Sequence, residues 1–413
     1  MLARNNWCFL FVLFAASIAS KAQSDSVKTT LELPIKEQKN FVFLVAENRF
    51  NASALTNKMA FATISGTQLS ADDISRSSNK SLKENYANYN YKNGISFTML
   101  DSAKGKTLIF GLYHVEHMDA SYKKDAFDFV FKGNKIFAGK TANLGSLNYR
   151  NFSYNELVFG NHKVKNKNGH RIMEYGTVSI LIPSSVQNLR LAKADIFTEE
   201  NGEFIDATYS YQSNGIKGNT SFSFSGIGIS LNGAFSNRKD QWEWGAEAKD
   251  YGLMFFGKKA EYGIKDSSLR WEGIQINSFN NITLQPQIDS FNQIFQANNS
   301  RKSFALPLQS SLEVFIIKHL KNNTDWFSGF RSIFVNARPQ VYTGIRKSFQ
   351  GNQKCFATLS FGGVGGIDLD AGYLKYFQKG YLLSINLYSI EGAAAPALNS
   401  GIGFGVRLGK SIN

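Results

Sequence analysis

Proline is scarce in this sequence, with 6 in 413 residues; cysteine occurs twice, and charged residues make up only 19%. Two cysteines exclude a disulfide-stapled scaffold. Cys8 lies in a segment expected to be removed, which leaves Cys355 without an intramolecular partner. After residue 22 no apolar run reaches the roughly 18 to 20 residues that a membrane-crossing helix needs. Glycine shows no collagen period, and so little charge excludes a disordered chain. What is abundant is aromatic side chain, 14% of the total with 35 Phe and 17 Tyr, together with 35 Gly. That much apolar surface has to be covered, either by a core or by lipid.

Residues 1–22 read as an export signal. Arg4 supplies the positive start, residues 7–18 are apolar, and Ser20 and Ala22 are small residues suitably placed before a cut ahead of Gln23. No Cys follows the cut, so a lipid-anchored N-terminus is not expected. Losing Arg4 and Lys21 lowers the formal net charge from +14 to +12. Export argues against nucleic acid as the partner of this basic excess. Dispersed basic residues, in short clusters such as Lys163, Lys165 and Lys167, read as solvated loop and rim charges or as contacts to lipid headgroups.

The body of the chain alternates with period two. Residues 94–100 and 107–113 form a strand, turn, strand pattern. Residues 156–164 and 171–182 flank Asn168-Gly169, the pair that most readily accepts positive φ, and a two-residue loop there sets His170 opposite Lys167 and His162 opposite Tyr175. Residues 204–211 and 220–235 continue the series. In the second, Phe222 and Phe224 have one parity and Ile227, Ile229 and Leu231 the other, which a bulge at Gly226 would reconcile. Further strands are expected at 312–320, 332–349, 354–363, 367–377, 381–390 and 401–408. Helical character is confined to 71–88 and 287–297.

These strands are long, near the 9–11 residues that cross a bilayer when tilted, and closing the sheet removes its edges. The expected fold is all-β: an antiparallel transmembrane β-barrel of about 12 to 16 strands, with a short polar N-terminal segment, in one domain over residues 23–413. Tyr86, Tyr89 and Tyr91, and Tyr373, Tyr376, Phe377 and Tyr381, stand where interfacial aromatic girdles would. A soluble exported β-sandwich or β-helix also alternates, and Trp242, Trp244, Trp271 and Trp326 could then stack on glycans.

Chemistry is sparse. His114 and His117 sit three apart, which in a strand puts them on opposite faces, unlike the helical His-Glu-x-x-His of zinc proteases; a hairpin rim is the plainer reading. His162 and His170 fall too far apart to share a metal. Residues 362–366, Gly-Gly-Val-Gly-Gly, lack the Lys-Ser/Thr of a phosphate loop and read as a turn. Glu199-Glu200, Asp72-Asp73 and Asp368-x-Asp370 are expected to be solvated acids, with weak Ca²⁺ binding the alternative for the last two. Cys355 reads as an inert small apolar residue. Residues 393–397 fit either a short periplasmic connection or a loop folded against the lumen. No catalytic residue, cofactor-binding residue or metal ligand is assigned.

Several stretches resemble a family of Gram-negative outer-membrane barrels of unassigned function, distantly similar to long-chain fatty-acid transporters and to barrel components of gliding and type IX secretion. They are residues 133–140 and 155–160, 244–253, 269–274, 382–390 and 401–409. The resemblance implies an outer-membrane location, insertion by the barrel assembly machinery and no enzymatic activity. It fits less well over 31–93, and the chain ends without the terminal aromatic common in such barrels. The expected function is transport of a hydrophobic small molecule or docking of secreted and surface proteins. A soluble exported glycan-binding protein is the alternative, and an exported hydrolase the remotest.

Overall fold

In a computed structural model the described residues are 40–101, 104–216, 225–272, 298–333 and 338–412. The expected signal segment, Phe222 and Phe224, and the expected helix at 287–297 lie outside them. Fourteen strands pair antiparallel in a closed ring. In ring order they are β1 (Asn40–Ala52), β2 (Glu84–Asp101), β3 (Lys106–Lys123), β5 (Leu147–Lys167), β6 (His170–Thr198), β8 (Gly226–Lys239), β9 (Trp242–Phe256) and β13 (Ser311–Leu320). The ring continues through β14 (Thr324–Ile333), β15 (Gln340–Phe349), β16 (Gln353–Gly362), β17 (Gly366–Tyr376), β18 (Tyr381–Tyr388) and β19 (Gly401–Ile412). β19 closes on β1, Asn40 opposite Ile412.

One end of the ring carries tight turns. Asn168 (φ 51°) and Gly169 (φ 76°) both take positive φ, as a two-residue hairpin loop requires, with Lys167 opposite His170 and His162 opposite Tyr175 as expected. Asp240, Asn322, Asn323, Asn352 and Gly380 serve the other turns at this end, also at positive φ. The opposite end carries the longer connections: α1 (Asn57–Ser65), α2 (Ala71–Lys80), α3 (Lys124–Lys132), α4 (Ile390–Ala394), the short strands β4 (Lys140–Asn143), β11 (Asn298–Arg301) and β12 (Phe304–Pro307), and the longer strands β7 (Ile205–Ile216) and β10 (Glu261–Trp271).

Alternation sorts the wall into two faces. Outward positions hold Leu44, Phe97, Met99, Phe110, Leu112, Val178, Ile180, Ile227, Ile229, Leu231, Leu312, Val314 and Ile316, all exposed. This apolar belt faces lipid, because water would leave it uncovered. Trp242, Trp244, Phe349, Phe377 and Tyr381 mark the belt at the tight-turn end, where an interfacial girdle is expected.

Above the belt the outward face is covered by protein. Tyr89, Tyr91, Met118, Ala120 and Tyr122 keep the outward parity yet are buried with Leu55, Met59, Ala126, Phe127, Ala142 and Leu144, so α1–α3 and the segment through β4 lie against the outside of the wall. β6 runs for 29 residues, whereas about 9–11 suffice to span a bilayer. Its first part pairs with β8, and its last part pairs with β7, which in turn pairs with β10. A sheet extension therefore rises beyond the belt.

Several sequence expectations are corrected. The helix expected over 71–88 stops at Lys80, where the Ser81 cap is extended; 84 onward is β2. Residues 332–349 are not one strand, since β14 ends at Ile333 and β15 begins at Gln340, after Pro339, which has no N–H for a ladder. Residues 381–390 end as strand at Tyr388, and 390–394 form α4 at the long-connection end, held where Asn57 Nδ2 donates to the Gly392 and Gly401 carbonyls at 3.0 and 2.7 Å. The Tyr89 and Tyr91 girdle is instead core beneath the helices.

Candidate functional site: the barrel lumen

The inward positions of the same strands are polar and charged. β1 contributes Glu47 and Arg49, β2 Asn88, Asn90 and Lys92, β3 His117 and Asp119, and β9 Glu243 and Glu247; Glu313 on β13 is the register partner of Glu247, with Arg331 on β14 next to it and Asp368 on β17. Their flanks show why. Glu313 lies between Leu312 and Val314, and Glu243 between Trp242 and Trp244, so sending the apolar neighbours to lipid sends the charge inside.

Charges held away from bulk water need partners. Lys92 Nζ donates to Glu156 Oε2 at 2.8 Å and lies 4.1 Å from the Tyr113 ring centre. Arg150 Nε reaches Asp119 Oδ2 at 3.2 Å, and the same oxygen meets His117 Nε2 at 3.2 Å, while the second ring nitrogen of His117 contacts Asn90. Arg331 Nε donates to Glu313 at 2.7 Å, and Tyr342 Oη donates to the second oxygen of Glu313. Gly329 makes that last bond geometrically open: a Cβ there would lie 2.5 Å from Cζ of Tyr342. Nearer the tight turns His319 is held between Asp325 (2.7 Å) and Glu243 (3.3 Å), with Arg346 on the far oxygen of Asp325 at 2.7 Å.

β9 changes phase inside the lumen. Trp242 and Trp244 face out below, Tyr251, Leu253 and Phe255 face out above, and the slip falls where Leu231 pairs with Tyr251 but Gly233 with Ala248. Asp250 takes φ 54°, and its N–H donates to Asn232 Oδ1 at 2.8 Å. This bulge sends both Lys249 and Asp250 to the cavity, two consecutive residues that plain alternation would place on opposite faces. The bulge expected at Gly226 turns on Phe222 and Phe224, which lie outside the described residues.

A cavity of about 130 Å³ lies among these groups. Its basic lining residues are Arg49, Lys249, Arg331 and Arg338, matched by Glu247, Asp250, Glu313 and Asp368. Arg49 faces Asp368 at 3.7 Å, and Asp368 also accepts from Ser389 Oγ at 2.9 Å. Glu247 and Lys249 approach to 3.3 Å, but neither carboxylate oxygen of Glu247 nor Nζ of Lys249 has a hydrogen-bond partner in protein.

Beside the cavity the inner face turns apolar. Val115, Phe152, Tyr154, Leu181, Met254 and Phe256 pack with Leu306 and Leu308, which come in from β12 and the link to β13. The link runs along β9, the Leu308 N–H donating to the Gly252 carbonyl at 3.0 Å; Leu308 is buried, and Asn88 Nδ2 of β2 donates to Gln309 Oε1 at 3.1 Å. Arg338, from the β14–β15 connection, stacks over the Tyr86 ring of β2, with Cζ 3.9 Å from the ring centre. A third apolar group, Phe41, Phe43, Val45 and Leu382, fills the lumen towards the tight turns.

The sequence candidates scatter. His114 and His117 do face opposite sides, but they sit in mid-strand rather than at a hairpin rim: His114 meets Tyr91 outside, and His117 is buried inside. His162 is buried in the lumen, and His170 contacts Asn237 instead of it. Residues 362–366 form the β16–β17 turn, with Gly362, Gly363 and Gly366 at positive φ. Asp368 is not a solvated acid; it is 2% exposed and paired in the lumen. Asp73 is likewise buried, accepting from Ser70 Oγ at 2.6 Å and facing Lys58 at 3.0 Å. Glu199 caps the turn at 199–203, and Cys355 is half-buried. Many basic residues expected at loops and rims, among them Arg49, Lys92, Arg150 and Arg331, line the lumen instead. Sequence reading missed Glu247, Lys249 and Glu313; a lone charge between Leu312 and Val314 was the available signal for Glu313, whereas Glu247 and Lys249 have only Ala246, Ala248 and Asp250 as neighbours.

Among the described residues no group of three or more His, Cys, Asp or Glu is placed to hold a metal. One serine sits among amines and a carboxylate: Ser78 Oγ donates to Asp128 at 2.6 Å and accepts from Lys124 Nζ at 2.8 Å. It is fully buried and fastens α2 to α3, where no substrate reaches it.

No family model and no curated protein matches this chain. Among solved structures it is similar in outline to the toluene transporter TodX of Pseudomonas putida, with TM-score 0.47 and 8% identity over 95% of this chain and 96% of that one. The translocator domain of the autotransporter NalP from Neisseria meningitidis gives TM-score 0.31 at 7% identity, covering 92% of this chain and 90% of that one. A triple mutant of the Rhodopseudomonas blastica porin gives TM-score 0.27 at 10% identity, covering 90% and 99%.

Proposed function

We propose that the chain is a non-enzymatic outer-membrane β-barrel, exported by the signal in residues 1–22 and placed in the membrane as a single domain by the barrel assembly machinery. Its tight turns face the periplasm and its helix-covered end faces outward, the usual polarity of such barrels. The lumen works as a small-molecule channel held in a closed state. The carrying observation is the two-sided wall, lipid-facing apolar residues outside and a paired charge network around a cavity inside. A hydrophobic cargo would use the apolar face formed by Phe152, Leu181 and Met254, which Leu308 covers.

A second reading, docking of secreted or surface proteins, is favoured by one feature: β6, β7 and β10 extend past the belt with helices packed beside them. The two readings separate in planar bilayers. As a channel, the reconstituted full chain shows a heat-shifted band on gels and low conductance, which rises when Glu313→Ala breaks the pair with Arg331. A chain that stays soluble without detergent, or an inserted one silent in both forms, rejects the channel.

A further inference from the structure

The lining of the cavity points to the chemistry of what it holds, on the footing that the lumen is the functional site. Its four basic and four acidic side chains balance, so no net field selects an anion or a cation. Six of these eight charges stand in pairs, Arg331 with Glu313, Arg49 with Asp368 and Lys249 with Glu247 at 3.3 Å. A charged solute would have to break one of those pairs and leave a charge unmatched away from water, which is expensive. A hydrocarbon would leave the polar lining unsatisfied.

What the cavity does leave open is hydrogen bonding. Glu247 is 3% exposed, and both its oxygens lack a hydrogen-bond partner in protein; Nζ of Lys249, two residues along the same inward row, lacks one too. Plain alternation from Glu243 turns this pair to the cavity, and the bulge adds Asp250 beside it. A carboxylate can accept from two neighbouring hydroxyls while the ammonium donates to a third oxygen. Hydroxyls both donate and accept, so one neutral solute satisfies both groups and leaves the Arg331–Glu313 and Arg49–Asp368 pairs intact. At about 130 Å³ the space takes several waters or one small ring.

We propose that the luminal cavity at Glu247 and Lys249 is a binding site for a neutral polyhydroxylated solute, a sugar of monosaccharide size or the end unit of a longer one. Full-length barrel in detergent is tested by saturation-transfer NMR with D-glucose, glycylglycine, potassium glutamate and toluene as probes. D-glucose is expected to bind, and the other three to bind at least tenfold more weakly. Glu247→Gln removes one charge-assisted acceptor and weakens glucose about tenfold; Lys249→Gln does the same, and both variants keep the heat-shifted band that marks a folded barrel.

Tighter binding of glycylglycine, glutamate or toluene, or glucose binding unmoved by either folded variant, overturns the assignment. Conductance is read on the same preparations. A conducting barrel with no preference for glucose rejects the ligand class alone, whereas glucose binding to a barrel that never conducts rejects the channel alone.

Discussion

Two parts of one outward face are covered by different things. On β2, Phe97 and Met99 stand exposed in the belt, while Tyr89 and Tyr91, of the same parity in the same strand, are buried under α1–α3. On β3, Phe110 and Leu112 contrast with Met118 and Tyr122 in the same way. The backbone alternation is identical along both stretches, so the difference lies in the solvent. Lipid reseals around a lost side chain; a packed helix does not, and that asymmetry of cost is what can be measured.

The largest effect is expected at Phe127, fully buried at the centre of the helix-covered end. Phe127→Ala should cost about 3–5 kcal/mol, read as faster hydrogen exchange in α1–α3, whereas Phe97→Ala in the belt leaves no cavity and should cost far less. Equal losses at both sites would mean that one cover, not two, surrounds the wall. The inner face breaks in another way. Glu313→Ala strands Arg331 in the lumen and should cost about 3–5 kcal/mol in urea unfolding of the vesicle-inserted barrel, while Glu313→Met with Arg331→Met should recover most of it.

A charge placed in the belt should cost less than either. Leu112→Arg is expected to destabilise the inserted barrel by about 2–4 kcal/mol near the bilayer midplane, against about 0.5 kcal/mol or less for Leu82→Arg on the water-exposed connection before β2. The smallest effect is one of pH at the helix-covered end. Burial pushes the Asp128 carboxyl up, but hydrogen bonds from Ser78, Lys132 and Lys124 outweigh it and hold the group below its ordinary value of 3.8. Its stabilisation is therefore complete above about pH 4 and is lost as pH falls through the lowered folded value. Exchange in α2 and α3 should quicken in that acid window, and Asp128→Asn should flatten the response.

The wall was legible because alternation is local. The hairpin at Asn168-Gly169 was readable down to its register, since two residues that accept positive φ fix which neighbours face each other. The two faces were partly legible: Leu312 and Val314 announce lipid, and Glu313 between them announces an interior. What covers a face is not a local property. Nothing in Tyr89 or Tyr91 distinguishes an interfacial girdle from a helix-covered core, because the covering residues, Met59 and Phe127, come from distant segments. The cavity was hidden for the same reason. Glu247 and Lys249 are set beside Glu313 and Arg331 by the pairing of β9 with β13, strands more than 50 residues apart in sequence, and the slip at Asp250 depends on Asn232 of the neighbouring strand.

The most direct test uses brominated lipid to quench single-tryptophan variants in vesicles, one retaining Trp244 in the belt and the other Trp271 on the β10 extension. The two-cover account predicts strong quenching of Trp244 and little of Trp271. Equal quenching, or a Trp244 untouched by lipid, would contradict a barrel whose belt lies in the membrane and whose extension stands clear of it.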